Sequence, residues 1–529
     1  MLEILSATEM RALEQAAIES RHVTGLELME RAGRALVEAV FTEWPELAKA
    51  PQKAIVLCGP GNNGGDGFVI ARLLKDWGWE IEVHLLGDAA RLPPDARVNH
   101  DRWCAMGEVH DLAEAPRNVQ GAALIIDALF GTGLRRPLEG TACAAALWIG
   151  AEKGAARIVA VDLPSGLCSD SGRILGAAGD VIRADLTVTF HAPKLGHLLD
   201  AGPEVCGRVV VADIGLVARA EGAVRMVAAP DAQSLDKAAS AHKYGHGHAL
   251  ILTGGAGRTG AARLAARAAL RIGAGVVTVG VPPAAQMEVA CQITALMLGR
   301  VRDGADLATV LEDGRITALC LGPGMGLGED KVGLLKVALQ SGRPLVLDAD
   351  ALTLIARDSD LWAHLHPCCI MTPHAGEFAR LFPDLAQRLS VVPATGPAYS
   401  KVNATREAAK RAGCVVLLKG PDTVIAAPDG GCAISAAAYG RAAPWLATAG
   451  SGDVLAGFIT GLLARGFEPM QAAETAAWLH VECARHHGPG LIAEDLPETL
   501  PDVLRALPDQ AARASSRMSA LLASSSPST

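Results

Sequence analysis

The sequence predicts an α/β protein of two domains, each a three-layer αβα sandwich around a mainly parallel sheet. Three observations predict it. Short apolar runs, each followed by a glycine-containing loop and a segment of helical period, recur along most of the 529 residues. The rhythm lapses once, between Gly215 and about Lys237, where the chain is Ala-rich and weakly periodic. Apolar residues make up 50% of the chain but aromatics only 4%, and glycine is frequent at 57 residues, so the cores must be aliphatic and the loops tight.

Taken in order, Ser6 and Glu9 fit a capping box that opens a helix, and Leu28, Ala32, Leu36 and Val40 repeat at helical spacing after it. The first domain, residues 1–220, then has candidate strands at 54–58, 81–86, 122–126, 157–161, 186–190 and 208–212. A linker at 221–236 leads to a second domain at 237–508, with candidate strands at 248–253, 276–281, 317–321, 344–347, 369–372 and 414–418 and a helix over 260–272. Asp422 to Ala427 and Cys432 to Ser435 flank Pro428-Asp429-Gly430-Gly431, which predicts a hairpin on an antiparallel sheet edge. Residues 509–529, rich in Ser and Ala, read as a disordered tail.

The balance of 48 basic against 57 acidic residues, a net charge of -9, argues against nucleic-acid binding through a broad basic surface. The longest run without Asp, Glu, Lys or Arg, Ile272 to Met287, contains Gly273, Gly275, Pro282 and Pro283 and does not read as a membrane span. No basic start followed by an apolar core opens the chain, and its 12 cysteines form no C-x-x-C pair. A cytoplasmic, homo-oligomeric protein with free buried thiols and small-molecule partners is expected.

Cys58 to Val69 reads Cys-Gly-Pro-Gly-Asn-Asn-Gly-Gly-Asp-Gly-Phe-Val, after a strand and at the start of a helix. Gly59, Gly61 and Gly64 satisfy G-x-G-x-x-G, a turn whose amides and helix N-terminus suit a pyrophosphate, with Asp88 near the place of a ribose-binding acid. The filling Asn62-Asn63 with Asp66 exceeds what phosphate cradling needs, and its oxygens suggest a cation or a sugar. Asp127 and Asp162 end later strands. In a doubly wound sheet the strand C-ends share one edge, so Asn63, Asp127, Asp162 and Ser165 can converge there. Gly131-Thr132-Gly133-Leu134-Arg135-Arg136 adds amides and two guanidinium groups suited to phosphate oxygens. Lys194 is either a second acid/base group or a surface lysine. Taken singly, each acid could equally cap a helix.

In order, Gly-Asn-Asn-Gly-Gly-Asp-Gly, Asp-Ala-Leu-Phe-Gly-Thr-Gly-Leu and Asp-Leu-Pro-Ser-Gly resemble the N-terminal epimerase domain of NAD(P)H-hydrate repair enzymes over about residues 1–215. The resemblance implies a Rossmann-like domain that interconverts the 6R and 6S hydrates of NADH and NADPH, NADHX and NADPHX. It implies hydrate contacts from Asn62, Asn63, Gly64, Gly65 and Asp66, from Gly131, Thr132, Gly133, Leu134, Arg135, Arg136 and Pro137, and from Asp162. It implies a potassium ion (K+) on Asn63, Asp127 and Ser165, all oxygen donors as a hard cation prefers. Epimerisation at a carbon bearing a hydroxyl and a ring nitrogen needs proton transfer, for which Asp162 is the candidate.

Neither G-x-x-x-x-G-K-[ST] nor H-R-D occurs, so the second domain needs another phosphate grip. Thr448 to Gly457 supplies one, because its small residues open a helix and aim several amides at an anion. Asp453 in the first turn would repel that anion unless it accepts a proton from a hydroxyl reacting at phosphorus; otherwise it simply stabilises the helix. This loop, the turn Lys419-Gly420-Pro421-Asp422-Thr423 and the hairpin resemble the ribokinase-like superfamily. With His242-Lys243-Tyr244-Gly245, Thr253-Gly254-Gly255, Gly260-Ala261-Ala262, Gly322 to Gly326, Asp348 to Leu352 and Thr372 to Glu377, residues 237–505 resemble the dehydratase domain of the same repair system.

That resemblance implies dehydration of the 6S hydrate with ADP consumed to AMP and phosphate, plausible as phosphorylation of the hydroxyl followed by elimination. Ala261, Gly324, His374 and Asp453 would touch the hydrate, with Asp453 activating the hydroxyl. Lys419, Gly420, Pro421, Asp422, Thr423 and Gly452 would touch the nucleotide. Mg2+ bridging the phosphates is expected of phosphoryl transfer. His374 could also be a satisfied structural group, and Asp348 and Asp350 fold residues. Two rival readings are a sugar or vitamin kinase with a dinucleotide-binding partner domain, and a nucleotide sensor that binds without converting.

Overall fold

The computed structural model describes residues 3–115, 121–152, 154–217, 220, 222–237 and 241–507. The expected tail at 509–529 lies outside the described residues. Two compact units emerge. The N-terminal unit comprises Leu2–Arg225 together with Leu389–Lys401, and the C-terminal unit comprises Met226–Arg388 and the chain from Val402 onward.

In the N-terminal unit the strands are β1 (Glu3–Ile4), β2 (Lys53–Cys58), β3 (Glu80–Leu85), β4 (Val109–Asp111), β5 (Ala122–Ala128), β6 (Arg157–Val161), β7 (Leu186–Phe190) and β8 (Arg208–Ala212). Seven of them form a wholly parallel sheet in the order β4-β3-β2-β5-β6-β7-β8. The order reverses between β2 and β5, the switch point where a crevice opens beyond the strand ends. Both faces are covered. Alternate residues of a strand point to opposite faces. Thus Ala54, Val56 and Cys58 join Leu36 and Val40 of the helix Gly25–Glu43 in one core, while Ile55 and Leu57 join Ala142, Ala145 and Ile149 of the helix Gly140–Glu152 in another.

After β9 (Val224–Met226), the C-terminal unit has β10 (His248–Leu252), β11 (Val276–Val281), β12 (Met297–Arg300), β13 (Ala318–Leu321), β14 (Leu345–Leu347), β15 (Cys369–Met371), β16 (Val415–Leu418), β17 (Asp422–Ala426) and β18 (Cys432–Ala436). Their order is β18-β17-β16-β15-β14-β13-β10-β11-β12. Strands from β12 to β16 pair in parallel, and the β16-β17-β18 edge is antiparallel as the hairpin signal predicts. The buried helix Ser451–Ala464 lies against the Ala-rich helix Gly260–Arg271 at van der Waals distance: a Cβ on Gly457 would fall 2.2 Å from the Ala265 carbonyl oxygen. Small residues on both helices permit that approach, which is why a chain so poor in aromatics still packs densely.

Every strand expected from the sequence forms, its ends displaced by no more than a residue or two. Four strands have no counterpart in the expectation: the two-residue β1, the three-residue β9, β4 and β12. β4 is Val-His-Asp, too short and polar to give a periodic signal, and β12 exposes Met297 and Leu298.

Candidate active sites

The N-terminal site forms where the loops after β2 and β5 press together. A Cβ on Gly59 would lie 1.7 Å from the Leu129 carbonyl oxygen and one on Gly64 2.0 Å from that of Gly59, so neither position admits a side chain. This close packing sets Asn62, Asn63, Gly64, Gly65 and Asp66 in the first turns of the helix Asn62–Asp76. Across the crevice a Cβ on Gly131 would fall 2.7 Å from Asn63 Oδ1 and 3.2 Å from Asp162 Oδ2. Asn63, Gly131 and Asp162 therefore surround one point. Arg135 and Arg136 are exposed beside it. Asp88 caps the short turn Ala89–Arg91 through the Ala90 amide.

Asp162 is held from every side. Its φ of 67° is left-handed, a costly conformation for a side-chain-bearing residue and one that clusters at functional sites. Its Oδ1 accepts hydrogen bonds from Thr189 Oγ1 at 2.8 Å and pairs with Lys194 Nζ at 2.9 Å, and its backbone oxygen accepts His197 Nε2 at 2.9 Å. The Lys194 ammonium also donates to Thr189 Oγ1 and to the Phe190 carbonyl oxygen. Lys194 is 1% exposed, which discards its reading as a surface lysine. Burial pushes the Asp162 carboxyl up, but Lys194 and Thr189 outweigh it and leave the group below its ordinary value. Burial and the charges of Asp162 and Glu14 raise Asp66 well above its ordinary value, and burial with Asp162 raises Glu14. A carboxyl held below its ordinary value thus faces two that are raised above theirs. Burial also drives His197 down to about 4, so its ring is neutral.

Asp127 and Ser165 meet deeper in the crevice. Both are buried, and Asp127 accepts from Ser165 Oγ at 2.6 Å and from the Ser165 amide at 2.8 Å. Ser165 Oγ lies 3.3 Å from the Phe130 carbonyl oxygen. Burial pushes the Asp127 carboxyl up to about 6 despite the Ser165 bonds. The buried Asn63 Nδ2 has no hydrogen-bond partner among the described residues. The Asp127 carboxyl, the Ser165 hydroxyl and the Phe130 carbonyl are oxygen donors of the kind that a hard monovalent cation takes, whereas Asn63 could contribute only its Oδ1.

The C-terminal site centres on the entrance to the helix Ser451–Ala464. Gly450 precedes it at φ 87°, and a Cβ there would strike Leu264 and Ala493. Ser451 Oγ donates to the Leu446 and Thr448 carbonyls, and His480 Nε2 stands 2.8 Å from the Ser451 carbonyl oxygen. Lys419 Nζ lies 2.8 Å from Asp348 Oδ1 and 3.9 Å from Glu377 Oε2, and a Cβ on Gly452 would stand 3.4 Å from it. Burial and the Asp348 charge push Asp453 up to about 6, against the pull of Lys419. A cavity of about 650 Å³ opens here, lined by Lys419, Gly420, Pro421, Thr423, Ser451 and Gly452 and closed by apolar side chains such as Leu446, Leu455 and Val481.

The remaining residues expected at this site are also accounted for. Asp422 opens β17, while Thr423 Oγ1 closes its turn onto the Gly420 carbonyl. The first turn of the helix Gly260–Arg271, which carries Ala261, meets the loop carrying Gly324: a Cβ on Gly324 would lie 3.7 Å from that of Ala261. His374 caps the helix Ala375–Leu381, its Nδ1 accepting from the Gly376 amide at 3.0 Å, yet its side chain remains 55% exposed. Asp350 accepts the Gly326 amide, a fold role, whereas Asp348 belongs to the Lys419 cluster.

Comparison with known proteins follows the same division. Residues 249–502 match the family model described as NAD(P)H-hydrate dehydratase, and residues 25–196 match the YjeF-related protein N-terminus. A bifunctional NAD(P)H-hydrate repair enzyme of Moorella thermoacetica is 37% identical over 96% of this chain and 97% of its own length. The chain belongs to the bifunctional NAD(P)H-hydrate repair enzyme family. An NAD(P)H-hydrate epimerase of Rhodobacter capsulatus, 50% identical, covers 37% of this chain and 92% of itself. The solved ADP/ATP-dependent NAD(P)H-hydrate dehydratase of Bacillus subtilis, co-crystallized with ATP/Mg2+, is 27% identical with a TM-score of 0.43 and covers 54% of this repair-family chain and 99% of its own. Among the described residues no helix is long and apolar enough to cross a membrane.

Sequence reasoning missed Glu14, Thr189, His197 and His480. Glu14 lies on the helix Ala7–Glu19, outside the matched span, and no motif marks it. His197 stands three residues after Lys194, a capping distance, which was the only local hint.

Proposed function

We infer that the N-terminal unit of this chain epimerises NADHX and NADPHX and that the C-terminal unit dehydrates the 6S epimer at the expense of ADP. The observation that carries this reading is the full-length family match on a chain whose two crevices each hold a carboxyl at a loop suited to phosphate.

The hydrate's C6 bears a hydroxyl and is bonded to the ring nitrogen N1. In the proposed epimerisation, ionised Asp162 takes the hydroxyl proton while neutral Asp66 gives its proton to N1, the C6–N1 bond breaks and an aldehyde forms. Rotation and closure on the other face return both protons. The loop 131–137 would grip the phosphates, and Lys194 keeps Asp162 ionised. Asn63, Asp127 and Ser165, with the Phe130 carbonyl, would hold K+, whose charge would offset the buried Asp127 carboxylate.

In the dehydration, Asp453 takes the proton of the C6 hydroxyl as its oxygen attacks the terminal phosphorus of ADP and AMP leaves. Loss of phosphate from C6 with a proton from C5 then restores the ring double bond. Lys419, Gly420, Pro421, Asp422, Thr423 and Gly452 would bind the nucleotide; Ala261, Gly324 and His374 would bind the hydrate. Mg2+ on the nucleotide would neutralise phosphate charge, within reach of the carboxyls around Lys419. Cytoplasmic location and homo-oligomerisation are proposed with this activity.

The test mixes both NADH hydrates with ADP, Mg2+ and K+ and follows the reduced-nicotinamide absorbance. Full recovery is expected, with Asp453→Asn inactive and Asp162→Asn halted once the 6S share is spent. A stable phosphorylated alcohol in place of recovery would favour the small-molecule kinase.

A further inference from the structure

Leu389–Lys401 is packed within the N-terminal unit, although the residues flanking it in sequence belong to the other. It is fastened there at several points. The Gly396 amide donates to the Arg135 carbonyl oxygen at 2.9 Å, and a Cβ on Gly396 would fall 2.7 Å from the Leu134 carbonyl oxygen. Ala398 is buried in the core that holds Leu134, Leu138 and Leu175, and its amide donates to Cys168 Sγ at 3.3 Å. The Gly176 amide donates to the Pro393 carbonyl oxygen at 3.0 Å. Arg173 clasps the segment at both ends, donating to the Val391 carbonyl at 2.5 Å and to that of Tyr399 at 3.5 Å.

Leu134 and Arg135 lie in the loop that also presents the Thr132 amide to Asp162 Oδ2 at 3.4 Å. The segment therefore touches the backbone of the loop proposed to grip the hydrate's phosphates. We propose that Leu389–Lys401 is a positioning element of the epimerase site, holding the loop 131–137 ready for the phosphates of the dinucleotide hydrate. This rests on the epimerase reading. The segment meets no reacting atom, so its effect falls on binding of the phosphate-bearing part, which is uniform across ground and transition states.

The experiment uses the full chain with K+ and measures epimerisation of 6R NADHX, with dehydration of pure 6S NADHX as the control for folding and for the other site. Arg173→Ala releases the clasp without touching the loop, and Gly396→Val pushes on Leu134 directly. The expected result is a KM for the 6R hydrate raised about tenfold in both variants with kcat within about twofold, Arg173→Lys falling between, and 6S dehydration unchanged. Unchanged KM in both variants overturns the proposal. Loss of kcat at constant KM overturns it too, because that pattern marks a merely structural role. Wild-type protein that does not epimerise would defeat the epimerase reading itself, before any variant is compared.

Discussion

Asp162 and Lys194 are each buried with a charge, and each is tolerated only because of the other. Removing one partner of such a pair costs about 3–5 kcal/mol, since the remaining charge stays buried without compensation. Lys194→Met should therefore lower the urea midpoint of the N-terminal unit, whereas Asp162→Asn combined with Lys194→Met should regain most of that loss. Neither variant should epimerise. Equal midpoints for the single and double variants would show that the pair is not coupled. At the other site, Asp453 must be ionised to accept a proton, so dehydration of the 6S hydrate should fall as pH drops below about 6. Its raised value also means that the folded protein bears a buried charge above pH 6, a burden relieved on acidification towards the ordinary carboxylate value. Asp453→Asn should thus be inactive yet more stable than wild type at pH 7, by about 1–2 kcal/mol after allowing for partial exposure, with the difference gone near pH 4. Thermal melts at the two pH values check this. Asp162 and Asp453 were legible in the sequence because each stands in a motif at a strand end or helix start. The burial of Lys194 was not, since Thr189, Phe190 and Asp162 enclose it only when β6 and β7 lie side by side.

The strands were legible for a similar reason: in doubly wound sheets they read as apolar runs closed by glycine loops. The strands that escaped lack that signature: β1, β4 and β9 are two or three residues long, and β12 is exposed. What the sequence could not reveal is how close the helices come. The helices Gly260–Arg271 and Ser451–Ala464 pack through alanine and glycine, and a Cβ on Gly461 would fall 2.2 Å from Ile272 Cγ2. A composition-based view sees only small side chains there. Gly457→Val should force the pair apart, displacing the first turn that carries Gly452 and Asp453. We expect a loss of roughly 1–3 kcal/mol or more in the C-terminal unit and dehydration reduced at least tenfold, with epimerisation retained. Retained dehydration at wild-type rate would mean that the helices separate without moving the site.

At the scale of the molecule, two units with separate cores should respond separately to ligands. A cation that occupies the Asn63, Asp127 and Ser165 site binds the native N-terminal unit alone and stabilises it by mass action, by about 2.7 kcal/mol at a hundredfold excess over its dissociation constant. Calorimetry in K+ should shift one unfolding transition upward and leave the other in place. Li+ should not substitute, and Asp127→Asn should abolish the shift. A shift that survives Asp127→Asn would place the ion elsewhere.

The chain runs from the N-terminal unit into the C-terminal one, returns at Leu389 and leaves again after Lys401. The two compact units are therefore not two consecutive stretches of the chain. Cutting the gene at the linker would yield an upstream protein lacking thirteen residues of its own fold, and a downstream one carrying them with no surface to cover. Engineers seeking the epimerase alone would do better to graft that strip onto its C-terminus through a flexible tether than to stop at residue 225.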